Sequence, residues 1–275
     1  MKILVMGDFH GKFPKNLKQE AKKADLILCT GDFGGSEKLL KIIFNYLGKK
    51  WWEQISLEKA KKYLLEDYNS GKKIIYELDK LNKPFFIIPG NWDFTSRSII
   101  ERNVGLKFKL YQEIVKKSRN LHWWNRGVKK IDNLKIIVFG GIVTAGAYLY
   151  KNKVFSEKQR KKFIQKNKKE TEQLIKYGEK DVDLLLAHYP PYGFFDKVNY
   201  KGENPMNGKH VGFKGYTLFI KKYSPKIFIC GHMHEYQGMK KFGKTKIIKT
   251  GAAKDGKGVI LEIENKKIKE IKFIN

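Results

Sequence analysis

The chain has 275 residues, 57 of them basic and 28 acidic, for a formal charge of +29 at pH 7. That length supports one large domain (1–275) with a substantial core, and no apolar stretch approaches the ~18 residues of a membrane span. Only five of the basic residues are arginine, the side chain that reads phosphates and bases through its planar fork. The lysine excess, spread along the whole chain, therefore reads as a trait of overall composition rather than as a dedicated nucleic-acid face, although its positive field would draw phosphorylated molecules to the surface.

In chain order, the first apolar run is Ile3-Leu4-Val5-Met6, which passes directly into Gly7-Asp8-Phe9-His10 and leaves no room for a signal peptide. Leu26-Ile27-Leu28-Cys29 follows and ends in Thr30-Gly31-Asp32. From Glu37 to about Lys80 the pattern is helical, with Leu39, Leu40, Ile43, Phe44 and Leu47 on one face and Ala60, Tyr63, Leu64 and Tyr68 on another. Gly48 and Gly71 are read as interruptions, and Trp51-Trp52 as the joint between the pieces. This stretch is too long for one crossover helix, so a helical insertion at about 37–80 is expected. Phe85-Phe86-Ile87-Ile88 then runs into Pro89-Gly90-Asn91. A second amphipathic helix carrying Phe163, Ile164, Leu174 and Ile175 precedes Leu184-Leu185-Leu186-Ala187, which ends in His188. Ile227-Phe228-Ile229-Cys230 ends in Gly231-His232-Met233-His234. Beyond it, Lys246-Ile247-Ile248 and Gly258 to Ile263 read as strands, with Asn265-Lys266 turning into Ile268 to Phe273. Cys29 and Cys230 both fall inside apolar runs and read as small core residues of a reducing compartment, so the chain is expected to be cytoplasmic.

Four-residue apolar runs bounded by glycine or proline are strands buried on both faces, which places the chain in the α/β class. Ligands of open α/β sheets gather beyond the carboxyl ends of such strands. Five run ends carry Asp8 and His10, Asp32, Asn91, His188, and His232 with His234, so seven oxygen and nitrogen donors are expected at one sheet edge. An Asp-x-His triplet or a Gly-Asp alone says little, whereas the ordered set points to metal chemistry.

That ordered set resembles the calcineurin-like metallophosphoesterase superfamily, from Asp8 to His234, with a β-rich segment beyond. The resemblance implies a four-layer α/β/β/α sandwich of two mixed sheets with the metal site at the strand carboxyl edge. It implies one ion held by Asp8, His10 and His234, a second held by Asn91, His188 and His232, and Asp32 bridging both. The blocks Ala187 to Pro191 and Ile229 to Glu235 look most like the cyclic-nucleotide-phosphodiesterase branch. Mixed carboxylate, amide and imidazole donors suit manganese, iron, zinc or nickel rather than calcium. Two such ions sharing a carboxylate suit in-line displacement at phosphorus by a bridging hydroxide, with no side-chain nucleophile.

One block departs from the family pattern. Gly90-Asn91-Trp92-Asp93 has tryptophan where most members have a histidine that assists the leaving group. Indole cannot act as an acid, so esters with poor leaving groups should suffer. Trp92 is a candidate for stacking on a base or aryl group of the substrate. His210, between the glycines of Asn207-Gly208-Lys209-His210-Val211-Gly212, is the candidate replacement acid, while His122 in its aromatic cluster reads as packed or surface. The favoured reading is a two-metal phosphodiesterase acting on a phosphate-ester or nucleotide-like substrate. The alternatives are a DNA or RNA nuclease of the same superfamily and a catalytically inactive scaffold. The scaffold reading requires lost ligands, and all seven are present.

Overall fold

The computed structural model describes residues 1–46, 49–96, 99–143, 156–179, 181–199 and 206–275. Leu47 and Gly48, assigned above to the helical insertion, lie outside them. Strands β1 (Lys2–Met6), β2 (Leu26–Cys29), β3 (Phe85–Ile87) and β4 (Leu121–Trp123) run parallel in the first sheet. Its other edge is the hairpin of β11 (Gly258–Glu264) and β12 (Lys267–Ile274), with β11 antiparallel to β1. The second sheet is built on β6 (Leu134–Phe139), β7 (Leu184–Ala187), β8 (Ile227–Cys230) and β10 (Thr245–Lys249), again parallel. Antiparallel β5 (Arg126–Ile131) and β9 (Gly238–Phe242) close its two edges.

Alternation along each strand builds the layers, because successive side chains leave a strand on opposite faces. Ile3 and Val5 of β1, Leu26 and Leu28 of β2, Leu184 and Leu186 of β7, and Ile227 and Ile229 of β8 meet in a core between the sheets. The intervening Leu4, Met6, Ile27 and Cys29 face outward onto α1 (Lys15–Lys23) and α3 (Leu57–Asp79). Leu185, Ala187, Phe228 and Cys230 face outward onto α6 (Glu157–Lys176) and α7 (Lys214–Tyr223). The result is a four-layer α/β/β/α sandwich of two mixed sheets. Each side chain sealed in it contributes ~1.5–3 kcal/mol of apolar burial, which is why the runs carry no polar residue until their ends. The two cysteines are free and buried, one in each outer core.

Between β2 and β3 the chain passes through α2 (Glu37–Asn45), a single 3-10 turn at Trp51–Glu53, and α3. Gly71 does not break α3, which runs through it for 23 residues. A Cβ there would lie 2.2 Å from the Tyr111 hydroxyl and 2.8 Å from the Gly34 amide, so the glycine serves close approach rather than termination. Asn265 and Lys266 both take positive φ in the β11–β12 turn, the conformation a two-residue hairpin loop requires. Among the described residues, no helix is long and apolar enough to cross a membrane.

Candidate metal centre

The seven donors come from the facing edges of two sheets rather than from the single edge expected, and the first sheet delivers the two carboxylates, the amide and one imidazole. Asp8 and His10 follow β1, Asp32 follows β2, and Asn91 follows β3. The second sheet delivers imidazoles, with His188 after β7 and His232 and His234 after β8. Asp8, His10, Asp32 and His232 all hold positive φ (59°, 43°, 61° and 76°). The chain must leave each buried strand and turn at once, and Asp and His tolerate this left-handed region at a cost on the order of 1–3 kcal/mol each.

These turns bring the seven residues together. Asp8, His10 and His234 form one triad of donor atoms, and Asp32, His188 and His232 form a second, with donors in each within 4.8 Å of one another. His10 Nε2 and His234 Nε2 are 2.9 Å apart. Asn91 Oδ1 lies between His188 Nε2 at 2.8 Å and His232 Nδ1 at 2.9 Å. Asp32 Oδ2 is 3.3 Å from His188 Nε2 and 3.9 Å from His10 Nε2, so this carboxylate reaches toward both triads.

The fit to divalent cations can be judged from these contacts. His188 Nδ1–H donates to the Thr30 carbonyl (2.7 Å), which leaves Nε2 to present a lone pair toward two oxygens in the neutral tautomer. Acceptors aimed at acceptors are reconciled by a proton or a metal ion. A histidine held through its other nitrogen by a backbone carbonyl is also the usual supporting arrangement of a metal ligand. Burial works to raise the Asp8 carboxyl, but the facing His234 and the ammonium of Lys249 outweigh it and hold it well below the usual carboxylate range. Burial likewise opposes ionisation of Asp32, and the adjacent His188 overcomes it. Against its own burial, His188 is pushed up to about 9 by Asp32. Burial and then the charge of His188 push His232 down to about 3, and burial lowers His10 as well. Ionised carboxylates with neutral His10 and His232 are the protonation states that metal ligation needs, and the proton that Asp32 draws onto His188 stands where a cation would be held, so the donor set fits divalent ions.

Supporting residues carry the rest of the geometry. The His232 backbone N–H donates to both Asp8 carboxylate oxygens at 3.0 Å, tying the first sheet's edge to the second. Asp93 accepts from the backbone N–H groups of Asp32 (2.9 Å), Phe33 (2.8 Å) and Gly90 (2.7 Å). Burial and the nearby Asp32 push its carboxyl up to about 7. Asp67 accepts from Gly35 and Ser36 at 2.6 and 2.7 Å, and burial pushes it up to about 6. Lys249 is wholly buried at the end of β10, and its Nζ has no hydrogen-bond partner among the described residues. Sequence reasoning passed over Asp67, Asp93 and Lys249. The only signals were an aspartate two residues after Asn91 and a lysine closing an apolar strand.

Trp92 is half-buried, and its backbone N–H donates to Asp32 Oδ1 at 2.8 Å. Its ring lies beside His10, the two separated by Gly35. A Cβ on that glycine would come within 2.4 Å of His10 Nδ1 and 2.9 Å of Trp92 Cγ. His210 lies in the loop between β7 and α7 and pairs with Asp196 rather than with any of the seven. His122 is exposed and stacks on Phe86.

Known proteins share this fold. An uncharacterized protein of Methanocaldococcus jannaschii is 26% identical over 252 residues, 90% of this chain and 87% of that protein. A crystal structure sharing 17% identity over 100% of this chain and 99% of its own superposes with a TM-score of 0.59. The phosphopantetheinyl hydrolase of Mycobacterium tuberculosis superposes with a TM-score of 0.50 at 11% identity, over 92% and 90% of the two chains. At such identities the structural likeness concerns the fold alone. The family described as Calcineurin-like phosphoesterase matches residues 1–236, most of the length, and the chain belongs to that family.

Proposed function

We propose that the protein is a two-metal-dependent phosphodiesterase that hydrolyses a small or nucleotide-like phosphate ester. The observation that carries this reading is the pair of facing triads, with Asn91 Oδ1 beside His188 and His232 of the second and the Asp32 carboxylate of that triad also reaching toward His10 of the first. Asp8, His10 and His234 would hold one ion, Asn91, His188 and His232 the other, and Asp32 would reach both. Divalent ions bound there supply Lewis acidity toward phosphoryl oxygens and a hydrolytic water ionised near neutral pH. The chain's own residues do the remaining work. Thr30 fixes the His188 tautomer, Asp93 sets the turn that aims Asp32, and Trp92 offers an aromatic face for a base or aryl ester. The lysine-rich surface raises the encounter rate of phosphate esters.

The test is hydrolysis of a panel of phosphomonoesters and diesters by chelated protein resupplied with manganese, iron, zinc or nickel. Metal-restored turnover of diesters above monoesters is the expected result, and turnover indifferent to chelation defeats the reading. Binding of duplex and single-stranded nucleic acid between 50 and 200 mM salt separates the nuclease alternative. Contact with six or more phosphates would cost roughly a thousandfold in affinity over that range. Only a modest salt effect is expected here, because screening already acts within about 8 Å at physiological salt.

A further inference from the structure

The chain that leaves His188 turns back on itself at the same sheet edge. Lys197 faces His210 across an isolated antiparallel bridge, and Val198 N–H donates to the Lys209 carbonyl at 2.9 Å. Val211 N–H donates to the Asp196 carbonyl at 3.0 Å. Within this turn the Asp196 side chain is sealed, only 1% exposed, and every contact it makes aims at one purpose. Oδ2 accepts the backbone N–H groups of Gly193 (3.0 Å) and Gly212 (2.9 Å), which leaves Oδ1 to accept from His210 Nδ1 at 2.6 Å. A carboxylate only accepts, so Nδ1 carries a proton and the ring is held in one orientation. The far side of that ring is open, since the His210 side chain is 44% exposed.

The turn also stands against the metal-ligand loop. Val198 and Met206 pack on Met233, which lies between His232 and His234, and Val211, next to His210, packs on the same cluster. The Tyr236 hydroxyl, two residues beyond His234, donates to the Lys197 carbonyl at 2.8 Å. Tyr189, next to His188, lies against His232 with ring centroids 4.1 Å apart. An exposed imidazole oriented by a buried carboxylate thus stands in a turn packed against the loop that carries His232 and His234, at a site whose Trp92 carries no acid.

Resting on the phosphodiesterase reading, we infer that His210, positioned by Asp196, is the general acid that protonates the leaving group. A water oxygen attacks phosphorus and releases one proton to solvent, the P–O bond to the leaving oxygen breaks, and its electron pair stays on that oxygen. The proton on His210 Nε2 passes to it, and the neutral ring regains a proton from solvent. The net change is diester plus water to alcohol plus phosphomonoester.

The experiment compares wild type, His210→Gln and Asp196→Asn, each loaded with manganese, on two diesters. One is bis(4-nitrophenyl) phosphate, whose leaving group needs no proton. The other is a dinucleoside monophosphate, which expels an alkoxide. General acid help is worth ~10²–10⁴ in rate. His210→Gln should therefore lose about a hundredfold or more in kcat on the dinucleoside ester and less than about threefold on the nitrophenyl ester. KM and manganese content should stay unchanged, and Asp196→Asn should show the same selectivity with a smaller loss. Equal losses on both esters, no loss on the dinucleoside ester, or loss of manganese from His210→Gln would overturn the inference. So would a wild type that cleaves only the nitrophenyl ester, which leaves the proposed function standing. A wild type inactive on both overturns the two together.

Discussion

The carboxyl edges of the two sheets are built from the same kind of buried parallel strand, yet they bring opposite chemistry to the site. The first edge ends in Asp8, Asp32 and Asn91 with one imidazole, His10, and is backed by two further buried acids, Asp67 and Asp93. The second ends in His188, His232 and His234 and is backed by the buried ammonium of Lys249. Neither edge could bury its charge alone, because an unpaired buried charge is expensive. Facing each other, they hold Asp8 and Asp32 ionised and raise His188. Each triad draws from both edges, so the site exists only when the sheets have packed. Assembly of the core and assembly of the site are one event.

Breaking the first edge at its most shared residue should have the largest effect. Asp32→Asn keeps the shape but removes the charge that reaches both triads. Replacing residues that merely support ligands typically costs 10–100-fold in metal affinity, so this change should exceed about a hundredfold. Elemental analysis after dialysis reads it, and two ions retained at wild-type stoichiometry would refute the shared role.

A second way to sharpen the contrast uses Asp67, which sits behind the first edge and touches neither triad. Its folded carboxyl is raised to about 6 from an ordinary 3.8, so the folded state binds the extra proton between those values. Its contribution to stability is therefore full below about pH 4 and is lost as pH rises through 6. At 1.36 kcal/mol per unit this is on the order of 2–3 kcal/mol. Urea unfolding of wild type and Asp67→Asn at pH 4.5 and 7 should show the variant gaining relative stability at the higher pH. A constant difference between the two pH values would contradict the assignment.

Gly35→Ala should then separate the triads from each other. Gly35 has φ +104°, and a Cβ there would crowd His10 Nδ1 at 2.4 Å. The added strain is of order 1–3 kcal/mol and falls first on His10 of the Asp8, His10 and His234 triad, with the Trp92 ring crowded less closely. Metal titration followed by calorimetry should show one site weakened and the other retained; equal weakening of both would mean that the triads do not act independently.

The smallest effect is expected from Trp92→His, which places an acid beside His10 on the first edge. Turnover of esters with poor leaving groups should rise by up to about tenfold, a fraction of the full range for acid catalysis, and good leaving groups should respond less. An equal response of both ester types would remove Trp92 from the leaving-group argument.

What could be read in the chain beforehand follows from physical periodicity. A four-residue run such as Leu26-Ile27-Leu28-Cys29 has no polar face, so it must be a strand covered on both sides, and its end must be where polar chemistry begins. The types of the seven donors and their places at strand ends were legible for that reason, as was the Asn265-Lys266 turn, but the single sheet edge expected for them is in fact two, because His188, His232 and His234 come from the second sheet. The helix through Gly71 was not, because glycine's cost is local while its benefit, close approach of Tyr111 and Gly34, belongs to other parts of the chain. Nor were the partners of His10 and His188. His10 meets His234 across 224 positions, and no local pattern encodes that distance. Asp93, Asp67, Lys249 and Asp196 are single polar residues in unremarkable surroundings, and their roles appear only once burial removes water and leaves each with a few fixed partners. By itself the sequence determined which strands are buried and which side chains stand at their ends. Only the tertiary structure decided which charges face one another, because electrostatic pairing depends on distance and desolvation, and both are set when the two sheets close.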